Sequence, residues 1–208
     1  MKKILFLTAL LFMYGFTFAN EFKFGYVDVA KIFTTTKQAK ALQDALKIQF
    51  DPEQKNLKIM NDKLVQQKNQ IQDIEKKVDS PDKLSTTDKN KLSVLLKDFQ
   101  PNQMLFQQKV SAYQQLTQRS QDYASAILLT RVNGILKNIS DIGQYDLVLT
   151  SNQLVYAKAK YDLTDQVISK METIDSNSLV KELNDAIKKS IDTQTLQPIT
   201  TAATSKRG

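Results

Sequence analysis

The stretch "YDLVLTSNQLVYAKAKYDLTDQV", Tyr145 to Val167, decides how this chain is read. Tyr145, Leu147 and Leu149 alternate as a half-buried strand does, and Thr150-Ser151-Asn152 breaks the alternation. A second apolar run, Leu154 to Tyr156, follows. "DLTDQV" then has the form of a helix start, with Thr164 as the cap and an end near Met171. The pattern predicts a β-hairpin closing onto a helix. An isolated hairpin is marginal in water, so this one requires a further strand.

The candidate strand lies more than a hundred residues earlier, in "FKFGYVDV". Phe22, Phe24 and Tyr26 fall on one face of an extended segment, and Gly25, Val27 and Val29 on the other. That predicts a strand of about five or six residues. The long segment between the two stretches has mostly helical periodicity. From Thr36, Ala39, Leu42, Ala45, Leu46 and Phe50 recur at helical spacing. Asp51-Pro52-Glu53 reads either as a fresh helix start or as a kink in one long helix. Beyond it Leu57, Met60, Leu64, Gln67, Ile71, Ile74 and Val78 form a heptad seam with one polar substitution, Gln67.

Ser80-Pro81-Asp82 breaks that helix, and Ser85 with Asp88 makes a variant capping box for the next one. Leu92, Leu95, Phe99, Phe106, Val110, Tyr113 and Leu116 resume the stripe, with Asn102 and Lys109 where apolar residues should continue it. Helix, polar tip and returning helix make an antiparallel hairpin reaching roughly 65 Å at about 1.5 Å per residue. Pro101 lies inside the returning arm and predicts a bend there, either a static kink or a hinge. From Tyr123 to Ile142 the apolar content rises as the arm re-enters a core, and Gly143 is the expected left-handed C-cap. "SNSLVKELNDAIKKSI" sets Leu179, Leu183, Ile187 and Ile191 in an i, i+4 row, an added amphipathic helix within 172–192. Residues 193–208 lack periodicity and are expected to be a disordered tail.

The amino terminus has the layout of an export signal. Lys2 and Lys3 precede an apolar core from Ile4 to Phe18, and the small residues Thr17 and Ala19 place cleavage after about Ala19. A core of about 15 residues is short for a span of about 20, and no later segment is apolar enough to be a stable membrane anchor. The formal charge of +7 would fall to +5 without Lys2 and Lys3. A basic surface can attract nucleic acid, anionic lipid or acidic protein, and export argues against nucleic acid. The chain has no Cys and no His, so disulfides, the usual metal ligands and the commonest general base are all missing. Five glycines leave no phosphate-binding loop, and the carboxylates and lysines do not converge. The expectation is a protein that is not an enzyme and uses no cofactor.

Taken in order, these elements resemble the Skp/OmpH family, periplasmic chaperones of outer-membrane proteins. The residues that carry the resemblance are "KFGYVDVAKIF", "LSTTDKNKL" and "YDLVLTSNQLVYAKAKYDLTDQVI", over about residues 22 to 171. The resemblance implies an α+β, mainly α fold: a small β body formed on homotrimerisation, with one long helical hairpin per subunit as a tentacle. The body would comprise 20–36 and 123–171, and the arm 37–122 with its tip near 79–88. The implied function is an ATP-independent holdase in the periplasm, keeping unfolded outer-membrane β-barrel precursors in a cavity between the arms. Two features depart from the family. Residues 172–208 run past its usual end, and the arm surface is Gln- and Asn-rich rather than strongly basic. Physical reasoning also requires association, because so small a sheet buries too little to support long arms and an open apolar edge must be covered.

Phe24, Tyr26, Val27, Val29, Leu147, Val148 and Leu149 are assigned to the sheet core and subunit interface. Met60, Phe99, Met104 and Phe106 are candidate client contacts, since Met adapts to irregular partners, with packing inside the hairpin as the alternative. Lys76, Lys77, Lys83, Lys89 and Lys91 surround the tip against Asp79, Asp82 and Asp88. They form either a solvated helix end or a basic rim for acidic clients, anionic lipid or lipopolysaccharide. The rival class is a structural or adaptor coiled-coil hairpin docking a fixed cell-envelope partner. Such a protein calls for a continuous docking stripe, whereas this arm is broken and Gln-rich.

Overall fold

The computed structural model describes residues 22–77 and 84–195. Strand β1, Phe24–Val27, is shorter than predicted, with Gly25 and Val27 turned inward. Asp28 ends it. Its carboxylate accepts the Lys31 N–H at 2.9 Å and caps a short helix, α1, Val29–Thr35. Thr36 closes α1 through its N–H to the Ile32 carbonyl and starts helix α2, its hydroxyl accepting from Ala39. Helix α2, Lys37–Glu75, runs unbroken for 39 residues, so Pro52 is not a second helix start.

The chain returns in helix α3, Thr86–Gly143, 58 residues long. Ser85 is its N-cap as predicted, accepting the Asp88 N–H at 3.1 Å, while its hydroxyl donates to the Asp88 carboxylate at 2.9 Å. The left-handed residue after α3 is Gln144 (φ 53, ψ 47), not Gly143. Gly143 is the last helical residue, and a Cβ there would overlap the Tyr145 ring. Glycine is required at that point for close approach rather than for backbone handedness.

Strand β2, Leu147–Thr150, pairs with β1 in parallel, Phe24 opposite Leu147 and Val27 opposite Thr150. The pairing of the two distant stretches is as expected, and its direction follows from the chain path. Parallel strands need a long crossover, and the whole helical hairpin serves as one. Just before the strands, Lys23 and Asp146, 123 residues apart, are joined twice: the Asp146 N–H donates to the Lys23 carbonyl at 2.7 Å and the Lys23 N–H to the Asp146 carboxylate at 2.6 Å.

The hairpin predicted for Tyr145–Tyr156 does not form. After Thr150 the chain enters a 3₁₀ turn, Ser151–Gln153, in which the Thr150 N–H and hydroxyl both donate to the Gln153 side-chain carbonyl. Local side-chain bonds of this kind compete with a ladder. Leu154–Tyr156 has no strand partner among the described residues, and Val155 and Tyr156 are exposed. A second 3₁₀ turn, Ala159–Tyr161, leads back beside β1, where Leu163 donates to the Tyr26 carbonyl at 2.8 Å.

Helix α4 is Thr164–Met171, but Thr164 is not its cap. The Asp162 carboxylate accepts the Thr164 N–H at 2.8 Å, and the buried Thr164 hydroxyl accepts from Asp28, tying the start of α4 to the end of β1. Helix α5, Ser176–Thr195, follows Asp175, whose carboxylate accepts from Asn177 and Ser178. It extends three residues past the predicted boundary at 192. Leu179, Leu183 and Ile187 are fully buried and share one core cluster with Val27, Ile32, Leu42, Val132, Leu163, Val167 and Met171. The added helix is therefore built into the body and the arm base.

Candidate functional site

The sheet has one closed edge and one open one. Strand β1 lies between β2 and the Asp162–Leu163 segment, while the outer edge of β2 has no strand partner among the described residues. Register puts Phe24, Tyr26, Leu147 and Leu149 on the outer face. Phe24 stacks on Tyr161 at 4.2 Å between ring centroids, and Leu147 is 43% exposed. Partial burial and the Asp162 carboxylate beside it raise the Tyr26 phenol above its ordinary pKa. The inner face turns to the core through Val27 and Val148. Gly25 is there because the Leu163 side chain occupies the place a Cβ would take. Val29 packs against the same core from the first turn of α1, so it is not a strand residue.

The arm is unevenly packed. On α2, Leu57, Leu64, Ile71 and Ile74 are buried. The facing residues of α3, Leu92, Leu95, Phe99, Phe106 and Val110, are only half-buried. Met60 sits on the α2 seam, and Phe99 and Phe106 border an open groove of about 220 Å³ with Leu64 and Val65. Met104 stands apart from these three, 62% exposed. The four client candidates thus divide into three on the seam and one on the outside.

Nearer the body a larger groove of about 480 Å³ opens between α2 and α3, with Leu42, Leu46, Phe50, Tyr113 and Leu128 in its lining. Phe50 meets Tyr113 edge-to-face at 6.0 Å. Sequence reasoning placed both rings on seams but did not pair them, since that needs the register of the two arms. One step outward Lys109 bonds Glu53 across the seam at 3.4 Å. The Asn56 amide and Lys109 hold the Glu53 carboxyl below the usual glutamate range, against partial burial. Lys109 is therefore a cross-arm partner, while Asn102 is simply exposed. Pro101 is exposed within an unbroken α3.

At the tip, Lys77 bonds Asp88 at 3.0 Å. The Lys77 ammonium, the Ser85 hydroxyl and the charge of Lys91 hold the Asp88 carboxyl below the usual aspartate range. Lys76, Lys89 and Lys91 are exposed around this pair, and Lys83, with residues 79–83 of the predicted tip near 79–88, lies outside the described residues. So do the predicted signal 1–19 and the end of the tail, 196–208. Among the described residues, no cluster of carboxylates could hold a metal ion and no helix is long and apolar enough to cross a membrane.

A two-stranded parallel sheet whose crossover is a long helical hairpin defines an arm-bearing, mainly helical α+β protein. More narrowly, the chain belongs to the OmpH-like outer membrane protein family, which it matches over residues 23–171. Among solved structures, a crystal structure of a candidate outer membrane chaperone (OmpH-like) from Caulobacter crescentus CB15 shares the fold. The two are 14% identical with a TM-score of 0.56, over 73% of this chain and 84% of that one. A comparison with curated proteins found no match.

Proposed function

We propose that this protein is a chaperone for outer-membrane proteins, an ATP-independent holdase acting in the periplasm after removal of its export signal. The observation that carries the reading is the underfilled arm. Two helices of 39 and 58 residues leave Phe99, Phe106 and Val110 half-covered, and grooves between the helices stay open. Such a surface suits many weak contacts with an unfolded chain, and release then needs no nucleotide. Membership of the OmpH-like family supports the same reading.

In this proposal the working unit is a homotrimer. The open β2 edge and the outer face of Phe24, Tyr26, Leu147 and Leu149 meet neighbouring copies, and three arms enclose an unfolded β-barrel precursor. An uncovered apolar edge is a liability that association removes. The run at Leu154–Tyr156, exposed at Val155 and Tyr156, is the natural segment to extend a neighbour's sheet. The lysines around the tip, in part neutralised by Asp88, attract acidic clients or the anionic surface of lipid and lipopolysaccharide.

The test is a holdase assay. Purified protein at one trimer per client is expected to keep a urea-denatured outer-membrane protein soluble without nucleotide, and to have less effect on a soluble exported control. Client aggregation that proceeds at its unassisted rate refutes the holdase reading and favours an adaptor that docks a fixed partner.

A further inference from the structure

Helix α5 lies beyond the residues matched by the family, and it covers only the inner part of the arm. Leu179, Leu183 and Ile187 are wholly buried among α2, α3 and the body. Arg131 of α3 bonds Glu182 at 2.6 Å, and the Gln38 amide of α2 donates to the Ile174 carbonyl at 2.7 Å. Among the described residues the cover then thins. Ile191, one turn past the last buried residue, is 41% exposed and borders an open groove with Phe50, Glu53, Lys109 and Tyr113. On α3 the buried residues begin at Ser120, about two turns inward of Tyr113, and none lies between Thr86 and Arg119.

A second observation falls at this level. Pro52 has no N–H, so the Ile48 carbonyl lacks its helical donor, one turn inside the Glu53–Lys109 bond. A helix bends most easily where a ladder bond is missing and no third helix resists. Pro101 also lacks an N–H, but it lies farther out in the two-helix part, near the groove of Asn61, Leu64 and Gln103.

We infer that α5 is a splint that fuses the arm base to the body, and that the outer arm pivots about Pro52 at the end of that splint. The pivot stands on the described geometry alone. Its consequence for clients, that α5 sets which part of the cavity wall can move, rests on the holdase reading.

The chain has no Cys, so spin labels at Asn133→Cys and Ser93→Cys report base-to-outer-arm distances in the full chain, diluted with unlabelled protein. Pro52→Ala is expected to narrow the distance distribution to about half its width, and Pro101→Ala to leave it unchanged. Narrowing by Pro101→Ala alone, by both equally or by neither overturns the inference. Hydrogen exchange tests the splint without any client. Amides of 38–50 are expected to exchange at least about tenfold more slowly than those of 57–75. Deleting 176–208, or the milder Ile187→Ala, should speed 38–50 and leave 57–75 unchanged. Uniform protection along α2, or a change spread over its whole length, overturns the splint.

Discussion

Asp88 is held by the Lys77 ammonium and the Ser85 hydroxyl, and Glu172 by the backbone N–H and side chain of Lys37. Both carboxyls sit below their ordinary pKa values. A depressed folded pKa contributes stability that is present above the unfolded pKa and is lost as pH falls through the folded value. The urea midpoint should therefore be flat from about pH 7 to 5 and drop as pH passes below roughly 4, the ordinary carboxylate range. Asp88→Asn should narrow its gap to the parent chain as the solution is acidified, and a gap independent of pH would remove this account. Ser85→Ala should cost about 1 kcal/mol through the lost cap. Gly143→Ala presses on the Tyr145 ring and should cost about 1–3 kcal/mol, a cost that falls in a Tyr145→Leu background if the ring is the cause. Of these residues, the Ser85–Asp88 cap was legible in the sequence because its partners are three positions apart. Gly143 fits a left-handed cap by sequence, whereas its constraint comes from a ring that only the chain reversal at Gln144 brings over it.

Helix α5 illustrates the same limit at the scale of elements. Its Leu179, Leu183 and Ile187 row announced an amphipathic helix, but no spacing within it named the surface it would bury. Substituting Leu183→Ala removes a side chain with no exposure and should cost about 2–5 kcal/mol by urea unfolding. Ile191→Ala, at the exposed end, should cost less than half as much. Equal costs would mean that α5 is packed uniformly to its last turn. Asp28 before "VAKIF" is the N-cap signal of helix α1, but the strand alternation continues through Val29 and conceals that start in the sequence. The second strand of the expected hairpin rests on an apolar run, Leu154–Tyr156, that has no strand partner among the described residues. An apolar run specifies burial or pairing and does not say by what.

The whole molecule combines a core that closes on itself with a sheet edge and an arm that do not. Light scattering at micromolar concentration should give the mass of a trimer, and Leu147→Asp or Val155→Asp at the open edge should lower that mass while helix content is unchanged. A monomeric mass for the parent chain would remove the enclosed cavity from the proposal, and unchanged trimers in both variants would move the interface off this edge.

The sequence by itself determined that a long helical hairpin separates two short strand segments, and that Ser85 and Asp88 start the returning arm. Each rests on periodicity or on contacts a few residues apart, which a linear pattern can carry. Tertiary structure alone decided the parallel direction of those strands, the αL conformation at Gln144, the Phe50–Tyr113 level and the seat of α5. Those depend on where the chain returns after more than a hundred residues, and that return is settled by the packed core joining Val27, Leu42, Val132 and Leu183.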